Sequence, residues 1–144
     1  MSRTYISGAF GIKFGDTFDT GRSEFSKGIN KYAIKPDRPY YLFEYYYVSV
    51  LNNSNKIIGI VAEAAVDVDD VHEEYLRLID NLRNEYGQEV YYSPDLFILI
   101  SDGACIVVNV DYENGDIEIM YSDSNSTNSN RETNPITGDD VTGL

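Results

Sequence analysis

The side chains with the most reactive groups are single and far apart in this chain. It has one histidine, His72, and one cysteine, Cys105. His72 stands beside Glu73, and an imidazole near a carboxylate is a candidate general base or metal ligand, so a small enzyme that uses His72 is one hypothesis. Cys105 lies in an apolar run, where a thiol behaves as a small hydrophobic group. Because no nucleophile–base or metal-ligand spacing stands out, we expect a protein without catalytic activity, cofactor or metal.

Two short motifs invite a ligand-binding interpretation that their spacing does not support. Residues 8–15 (GAFGIKFG) have closely spaced glycines, but no Gly-Lys-Ser/Thr closes a phosphate loop. Residues 67–70 (DVDD) resemble the start of a calcium loop, but His72 stands where the central glycine is required. The aspartates are explained better as helix caps, because Asp70 and Glu73 have the spacing of a capping box.

The composition is that of one acidic globular domain. The chain has 144 residues, and 24 Asp and Glu against 11 Lys and Arg give a net charge of -13. Residues 1–38 hold seven basic and four acidic residues, whereas residues 39–144 hold four basic and twenty acidic ones. Proteins that bind DNA or RNA need a basic patch, so the charge argues against direct nucleic-acid binding and favours a partner with a basic surface.

The sequence gives no sign of a membrane or an oxidising compartment. No apolar run approaches the ~18 residues of a membrane span, and the first residues lack the apolar core of a secretory signal. A single cysteine excludes an internal disulfide. We therefore expect a cytoplasmic protein with no membrane partner.

The clearest element is an amphipathic helix predicted over residues 69–86. Its apolar residues follow one another at steps of 4, 3, 1, 3 and 4, which places them on one stripe of a helix. They are Val71, Tyr75, Leu78, Ile79, Leu82 and Tyr86. Gly87 follows the last of them, where a residue with positive φ commonly ends a helix.

After a β-rich N-terminal region, five segments are predicted as strands around this helix. Residues 40–51 and 56–66 are rich in aromatic and β-branched residues, and the turn formers of residues 52–55 join them as a hairpin. Residues 96–100, 105–111 and 117–121 follow the helix, and Asn114-Gly115 predicts a tight turn between the last two. The predicted fold class is α+β: a meandering antiparallel sheet of about five strands with the helix packed across one face.

The end of the chain has a different composition from the rest. Residues 122–144 are rich in Ser, Asn and Thr, which is typical of a tail or a long loop. We therefore predict a compact domain over residues 1–121 and a polar tail over 122–144. The tail has three apolar residues that could anchor it on the domain: Ile136, Val141 and Leu144.

Tyrosines crowd one predicted strand. The chain has 13 Tyr and no Trp, and six aromatic residues lie within positions 40–47. Either these rings fill the core, or one face of the strand stays exposed as a contact surface or homodimer interface. Stacking on nucleic-acid bases is a third interpretation, but the basic groove that it needs is missing.

Five short segments occur in a recognisable order. They are residues 11–16 (GIKFGD), Tyr47-Val48, residues 56–60 (KIIGI), Tyr86-Gly87 and Gly143-Leu144. In this order the chain resembles small uncharacterised bacterial and phage α+β proteins that open on a G-I-x-F-G segment. The resemblance implies the order of strands and helix, and no activity. In general character the chain is also similar to acidic phage-encoded inhibitors of the anti-CRISPR and anti-restriction type.

These observations favour an interaction protein over an enzyme. The leading hypothesis is an acidic protein that binds a basic surface of a protein partner, as an inhibitor that mimics nucleic-acid charge if that surface handles nucleic acid. The alternatives are a homo-oligomeric or structural module that uses the Tyr-rich strand, and the small enzyme that uses His72. The predicted partner-binding residues are Glu73, Glu74, Asp80, Asp111, Glu113, Asp116, Glu118, Tyr41, Tyr45 and Tyr47.

Overall fold

Strands of the described chain form one large sheet and one small hairpin. The computed structural model describes residues 5–19, the backbone of 26–28, and residues 30–124 and 144. The small hairpin consists of β1 (Gly8–Ala9) and β2 (Ile12–Lys13). The large sheet consists of β3 (Ser26–Gly28), β4 (Lys31–Ala33), β5 (Tyr45–Val50), β6 (Ile57–Ala65), β7 (Tyr91–Tyr92), β8 (Leu96–Ser101), β9 (Ala104–Asp111) and β10 (Asp116–Asp123). The helix α1 (Val71–Tyr86) lies between β6 and β7.

The large sheet consists of two meanders that meet in its middle. Its strand order is β3-β4-β5-β6-β10-β9-β8-β7, and every pairing is antiparallel. The fold class is therefore α+β, as predicted. The expected number of about five strands is wrong, because the sheet has eight strands and the hairpin two more. The sequence indicated a β-rich N-terminal region but placed no single strand there, and it did not indicate β7. All five of these strands are two or three residues long, too short to show a period of two.

The helix is present with its predicted apolar stripe buried. It begins at Val71, two residues later than expected, and all six stripe residues are buried. The expected capping box is wrong: the Asp70 side chain makes no capping hydrogen bond. Asp70 has helical dihedral angles, φ -102° and ψ -9°, instead of the extended conformation from which a side chain reaches the first turn. Gly87 ends the helix with a positive φ of +101°, as expected, but its ψ of -159° is not that of a left-handed helical residue.

Among the residues that the structure describes, the large sheet has one face covered by α1 and one opposite face. The α1 stripe and the β1–β2 hairpin both pack on the covered face, where the ring of Phe10 lies 5.0 Å from Tyr46 and 5.6 Å from Tyr121. Ile60 and Ile119 on this face are fully buried. Side chains alternate along each strand, so the residues between those of the covered face point to the other side of the sheet. We call this other side the open face.

The tyrosine-rich segment is a strand only in its second half. The sequence predicted a strand from residue 40, but β5 begins at Tyr45, and residues 40–44 form a turn. The hydroxyl of Tyr46 accepts a hydrogen bond from the Tyr40 amide at 3.0 Å and donates to the Tyr40 carbonyl at 3.1 Å. Burial raises the pKa of Tyr46, so this phenol stays protonated and keeps the turn in place.

The last residue of the chain docks into the core. Leu144 is fully buried, and its main-chain oxygen accepts hydrogen bonds from the hydroxyls of Tyr86 at 2.8 Å and Tyr121 at 3.2 Å. Leu144 is thus an anchor, as predicted, whereas Ile136 and Val141 lie outside the described residues. β10 extends to Asp123, so the polar segment starts later than residue 122.

A partly buried ion pair fixes the connection from α1 to β7. The guanidinium of Arg83 donates to both carboxylate oxygens of Glu89, at 2.7 Å and 2.5 Å. It also lies 5.3 Å from the centre of the Tyr92 ring. The hydrogen bonds from Arg83 lower the pKa of Glu89 below its usual 4.5. The side chain of Glu89 is 6 % exposed, so the charge is largely withdrawn from solvent.

We expect Glu89→Gln to lower the free energy of unfolding by about 2 kcal/mol at neutral pH, since it weakens charge-assisted hydrogen bonds. Because the folded-state pKa of Glu89 is depressed, its contribution is complete above the unfolded pKa and is lost as the pH falls through the folded one. Urea unfolding at several pH values should therefore show the difference between wild type and variant shrinking towards acid pH. A difference that stays constant from neutral to strongly acid pH would contradict this assignment.

Candidate protein-interaction surface

Several separate segments of the chain meet at one end of the large sheet. The register pairs Ala65, the last residue of β6, with Asp116, the first of β10, and pairs Asp116 with Asp111, the last of β9. β8 begins opposite Asn109, and β5 begins opposite Glu63, so both strands start at the same end. The connections that leave these strands therefore lie side by side, together with the first turns of α1.

Half of the chain's 24 carboxylates lie in these segments. The segments are residues 44–45, 63–77, 93–96 and 109–118, and the one Lys or Arg among them is Arg77. We call this surface the acidic end. Its carboxylates are Glu44, Glu63, Asp67, Asp69, Asp70, Glu73, Glu74, Asp95, Asp111, Glu113, Asp116 and Glu118.

Carboxylates stand opposite one another on neighbouring strands at the acidic end. Asp111 is the register partner of Asp116, and Glu63 is the register partner of Glu118. Like charges directly across a sheet repel each other and destabilise the pairing. A partner that places a cationic group over Asp111 and Asp116 would relieve their repulsion, so this pair favours binding of positive charge.

The β9–β10 turn holds its carboxylates outward. Asp111 accepts hydrogen bonds from the amides of Glu113 at 3.0 Å and Asn114 at 3.2 Å and from the Asn114 side chain at 2.8 Å. These hydrogen bonds lower the pKa of Asp111 and keep its carboxylate ionised, and the one from the Asn114 side chain has the largest effect. Glu113 and Asp116 are exposed on either side of it. The turn thus presents a fixed cluster of negative charge.

Gly115 fits this turn against the connection from β6 to α1. Its φ is +74°, and its carbonyl accepts a 2.8 Å hydrogen bond from the Val66 amide. The turn was predicted at Asn114-Gly115 with positive φ at both residues, but of the two only Gly115 has it. This contact joins the acidic turn to the acidic segment that leads into α1.

The first turns of α1 contribute a partly neutralised group of charges. Arg77 pairs with Glu74 at 2.6 Å and with Glu73 at 3.5 Å. The hydroxyl of Tyr41 donates to Glu74 at 2.8 Å, and the hydrogen bond from Arg77 to that hydroxyl is the main cause of the raised pKa of Arg77. The Glu73 side chain remains 73 % exposed, so it is available to a partner, whereas Glu74 is 18 % exposed and holds Tyr41 in position.

Exposed apolar side chains stand among these charges. Tyr41 is 62 % exposed, Tyr45 56 % and Val68 52 %. Tyrosine offers a large rigid contact area with a polar tip, and it is enriched in protein interfaces. The acidic end therefore has the apolar anchors that a specific interface needs besides charge.

Two of the predicted partner-binding residues are not part of this surface. Asp80 lies further along α1 and pairs with Arg83 at 3.5 Å. Tyr47 is 9 % exposed on the open face, so little of its ring is accessible. The other eight lie at the acidic end or border it.

His72 is bound in a surface contact with a second aromatic residue. It is exposed, and its Nδ1 lies 3.2 Å from the hydroxyl of Tyr112. That hydroxyl donates to the carbonyl of Pro94, so His72 is the donor in its contact with Tyr112. In the described residues no group of three or more His, Cys, Asp or Glu side chains could hold a metal ion.

Cys105 lies in β9 and is partly buried, and burial raises the pKa of its thiol. A thiol with a raised pKa is a poor nucleophile at neutral pH. The position agrees with the small hydrophobic role expected from its apolar neighbours.

The glycines of residues 8–15 form a tight hairpin and not a phosphate loop. Phe10 and Gly11 turn the chain with φ +57° and +80°, and β2 follows instead of a helix. An open cavity of about 680 Å³ lies beside it, and its lining includes both lysines (Lys13, Lys35) and aspartates (Asp16, Asp19, Asp37). The mixed charge of this lining selects no ligand class.

The sequence interpretation missed half of the acidic end. It assigned residues 67–70 to capping and gave no role to Glu44, Glu63 and Asp95. The signal that brings them together is strand register: once the Asn-Gly turn pairs β9 with β10, and β10 pairs with β6, their ends must coincide. The first pairing could be read from the sequence, but the second joins distant segments.

Comparison with known proteins does not assign a family to this chain. No family model matches the chain, no curated protein is similar to it, and no solved structure matches its fold. No helix in the described residues is long and apolar enough to cross a membrane.

Proposed function

We propose that this protein binds a basic surface of a protein partner through its acidic end and has no catalytic role. The observation that carries the proposal is the convergence of twelve carboxylates from separate chain segments on one end of the sheet, with Asp116 and Asp111 in register across β10 and β9. Such a potential steers association with a cationic surface and disfavours acidic partners.

The partner chemistry follows from the two components of the surface. Exposed carboxylates at Glu73, Glu113 and Asp116 face Lys or Arg side chains of the partner, while Tyr41 and Tyr45 supply apolar contact. A basic surface of this kind is typical of proteins that handle nucleic acid, where lysines and arginines contact phosphates. We therefore propose that the protein inhibits its partner by mimicking phosphate charge. The acidic phage-encoded inhibitors that the chain resembles in character act in this way. We place this activity in the cytoplasm.

A titration with a simple cationic probe tests the charge recognition. We expect octalysine to shift the amide NMR signals of the acidic end and to bind less tightly as salt is raised, because exposed charges are screened. The triple variant Glu73→Gln/Glu113→Gln/Asp116→Asn should weaken binding about tenfold. These three side chains are exposed and outside the core, so folding should persist.

The matched control changes the net charge equally at exposed positions elsewhere: Asp16→Asn/Asp37→Asn/Asp102→Asn. Binding that weakens to the same extent in both triple variants would contradict a localised site. For mimicry, any protein captured from a cell extract should be released by duplex DNA as well as by salt. Capture that resists both would overturn the proposal.

A further inference from the structure

The β9–β10 turn holds two groups that react with each other when an asparagine loses its side-chain amide. Asn114-Gly115 is the only Asn-Gly pair in the sequence. The nitrogen of the peptide bond that follows an asparagine can attack its side-chain carbonyl carbon, and glycine hinders this attack least because it has no side chain. Asn114 is exposed, so water reaches the reacting carbon. The chemistry is therefore available here, and the geometry of the turn decides how fast it proceeds.

Asp111 binds both reacting groups of this pair. Its main-chain oxygen accepts a 2.9 Å hydrogen bond from the amide of Gly115, which contains the attacking nitrogen. Its carboxylate accepts a 2.8 Å hydrogen bond from the side-chain amide of Asn114, whose carbon is attacked. The attack requires the Gly115 nitrogen to lose its proton and the Asn114 side chain to move against that nitrogen. Both hydrogen bonds must therefore break before the two groups can react.

Further contacts hold the peptide bond between Asn114 and Gly115 in place. The main-chain amide of Asn114 donates to the Asp111 carboxylate at 3.2 Å, and the carbonyl of Gly115 accepts from the Val66 amide at 2.8 Å. Gly115 is buried although Asn114 and Asp116 on either side of it are exposed. Closure of a succinimide ring between Asn114 and Gly115 rotates this peptide plane, so the turn has to open first.

We propose that Asn114 is a site of spontaneous deamidation and that Asp111 sets its rate by keeping the turn closed. In the opened turn the Gly115 nitrogen loses its proton and forms a bond to the side-chain carbon of Asn114. The bond between that carbon and the side-chain nitrogen breaks, and the nitrogen takes up a proton and leaves as ammonia. Water then adds to either carbonyl carbon of the succinimide ring, which opens to aspartate or isoaspartate. Water is the one co-reactant that the sequence of steps needs.

Both products change the acidic end. Each places a new carboxylate beside Asp111, where the side-chain amide of Asn114 now donates a hydrogen bond. Like charges at this distance repel each other, so the product turn is held less firmly. Isoaspartate also adds a carbon atom to the main chain, which displaces Gly115 from its contact with Val66. The turn that presents the fixed negative charge therefore changes as the protein ages.

The reaction rate is measured by incubation at mildly alkaline pH, anion-exchange separation of the more negative product, and peptide mapping of the modified residue. We expect folded wild type to react at Asn114 at least about tenfold more slowly than a synthetic peptide of residues 109–119, because a hydrogen bond to a charged group must break first. Asp111→Ala should raise the rate in the folded protein about tenfold. Asp111→Asn keeps a neutral acceptor, so its rate should lie between the two, and it serves as the test if Asp111→Ala fails to fold.

Leu144→Ala is the matched control, because it removes buried apolar contacts in the core and leaves the hydrogen bonds of this turn intact. A reaction that needs only local opening of the turn proceeds at the wild-type rate in Leu144→Ala. Equal acceleration by Leu144→Ala and Asp111→Ala would show that the reaction follows global unfolding, and it would overturn the proposal. No acceleration in either Asp111 variant, or a wild-type rate equal to that of the peptide, would overturn it as well. All these outcomes are independent of octalysine binding, which is measured on freshly prepared protein.

Discussion

Replacing Gly115 with alanine is expected to lower the free energy of unfolding by about 3 kcal/mol. A Cβ atom at this position would lie 2.1 Å from the carbonyl oxygen of Val66, which is backbone and has little room to move. Gly115 also has φ +74°, a conformation that costs an L-residue roughly 1–2 kcal/mol. Urea unfolding followed by circular dichroism measures the loss.

The matched control is Gly59→Ala in the same sheet. Its added Cβ would approach the Ser49 side chain to 3.2 Å, and its φ is outside the left-handed range, so a small shift accommodates it. We expect a loss below about 1 kcal/mol for Gly59→Ala. Equal losses in the two variants would mean that the β9–β10 turn is not held against Val66. The acidic end would then lack the rigid base that we assign to it.

Replacing Leu144 with alanine should destabilise the protein by about 3 kcal/mol as well, since the side chain is fully buried and its removal leaves a cavity. The substitution keeps the main-chain oxygen that Tyr86 and Tyr121 bind. The measurement is again the urea unfolding free energy. A loss below about 1 kcal/mol would show that Leu144 is not part of the cooperative core.

The hydroxyl contacts are separated from the apolar contact by Tyr86→Phe and Tyr121→Phe. Each variant removes one hydrogen bond to Leu144 and keeps the ring, so we expect a loss of about 1 kcal/mol. A Tyr121→Phe loss as large as that of Leu144→Ala would place the anchoring energy in the hydrogen bonds instead of in apolar burial.

The sequence predicted the elements that are long enough to show a period. α1 was placed within two residues because its apolar positions repeat over four turns, and the five long strands were found by alternation and turn residues. The short strands β1, β2, β3, β4 and β7 carry no such signal. The start of β5 was misplaced because aromatic residues favour strands. The turn of residues 40–44 depends on hydrogen bonds of the Tyr46 hydroxyl, which no local sequence pattern predicts.

The sequence predicted which residues belong to the candidate site, but it did not predict that they lie together. Acidic residues on α1 and on the last hairpin were named from the sequence, and eight of the ten predicted residues lie at or beside the acidic end. The closeness of the two groups depends on the pairing of β6 with β10, which are separated by α1, β7, β8 and β9. Asp80 was included because the exposed face of α1 is acidic, but it lies too far along the helix to be part of the acidic end.

Glu63 and Glu118 also help to specify the register of β6 and β10. A slip of β6 or β10 by one residue would turn each side chain of that strand to the other face, which would move its glutamate into the core and its alanines or isoleucines into water. Burying an unpaired carboxylate costs several kcal/mol. The two glutamates therefore make the nearest incorrect register of β6 and β10 strongly unfavourable.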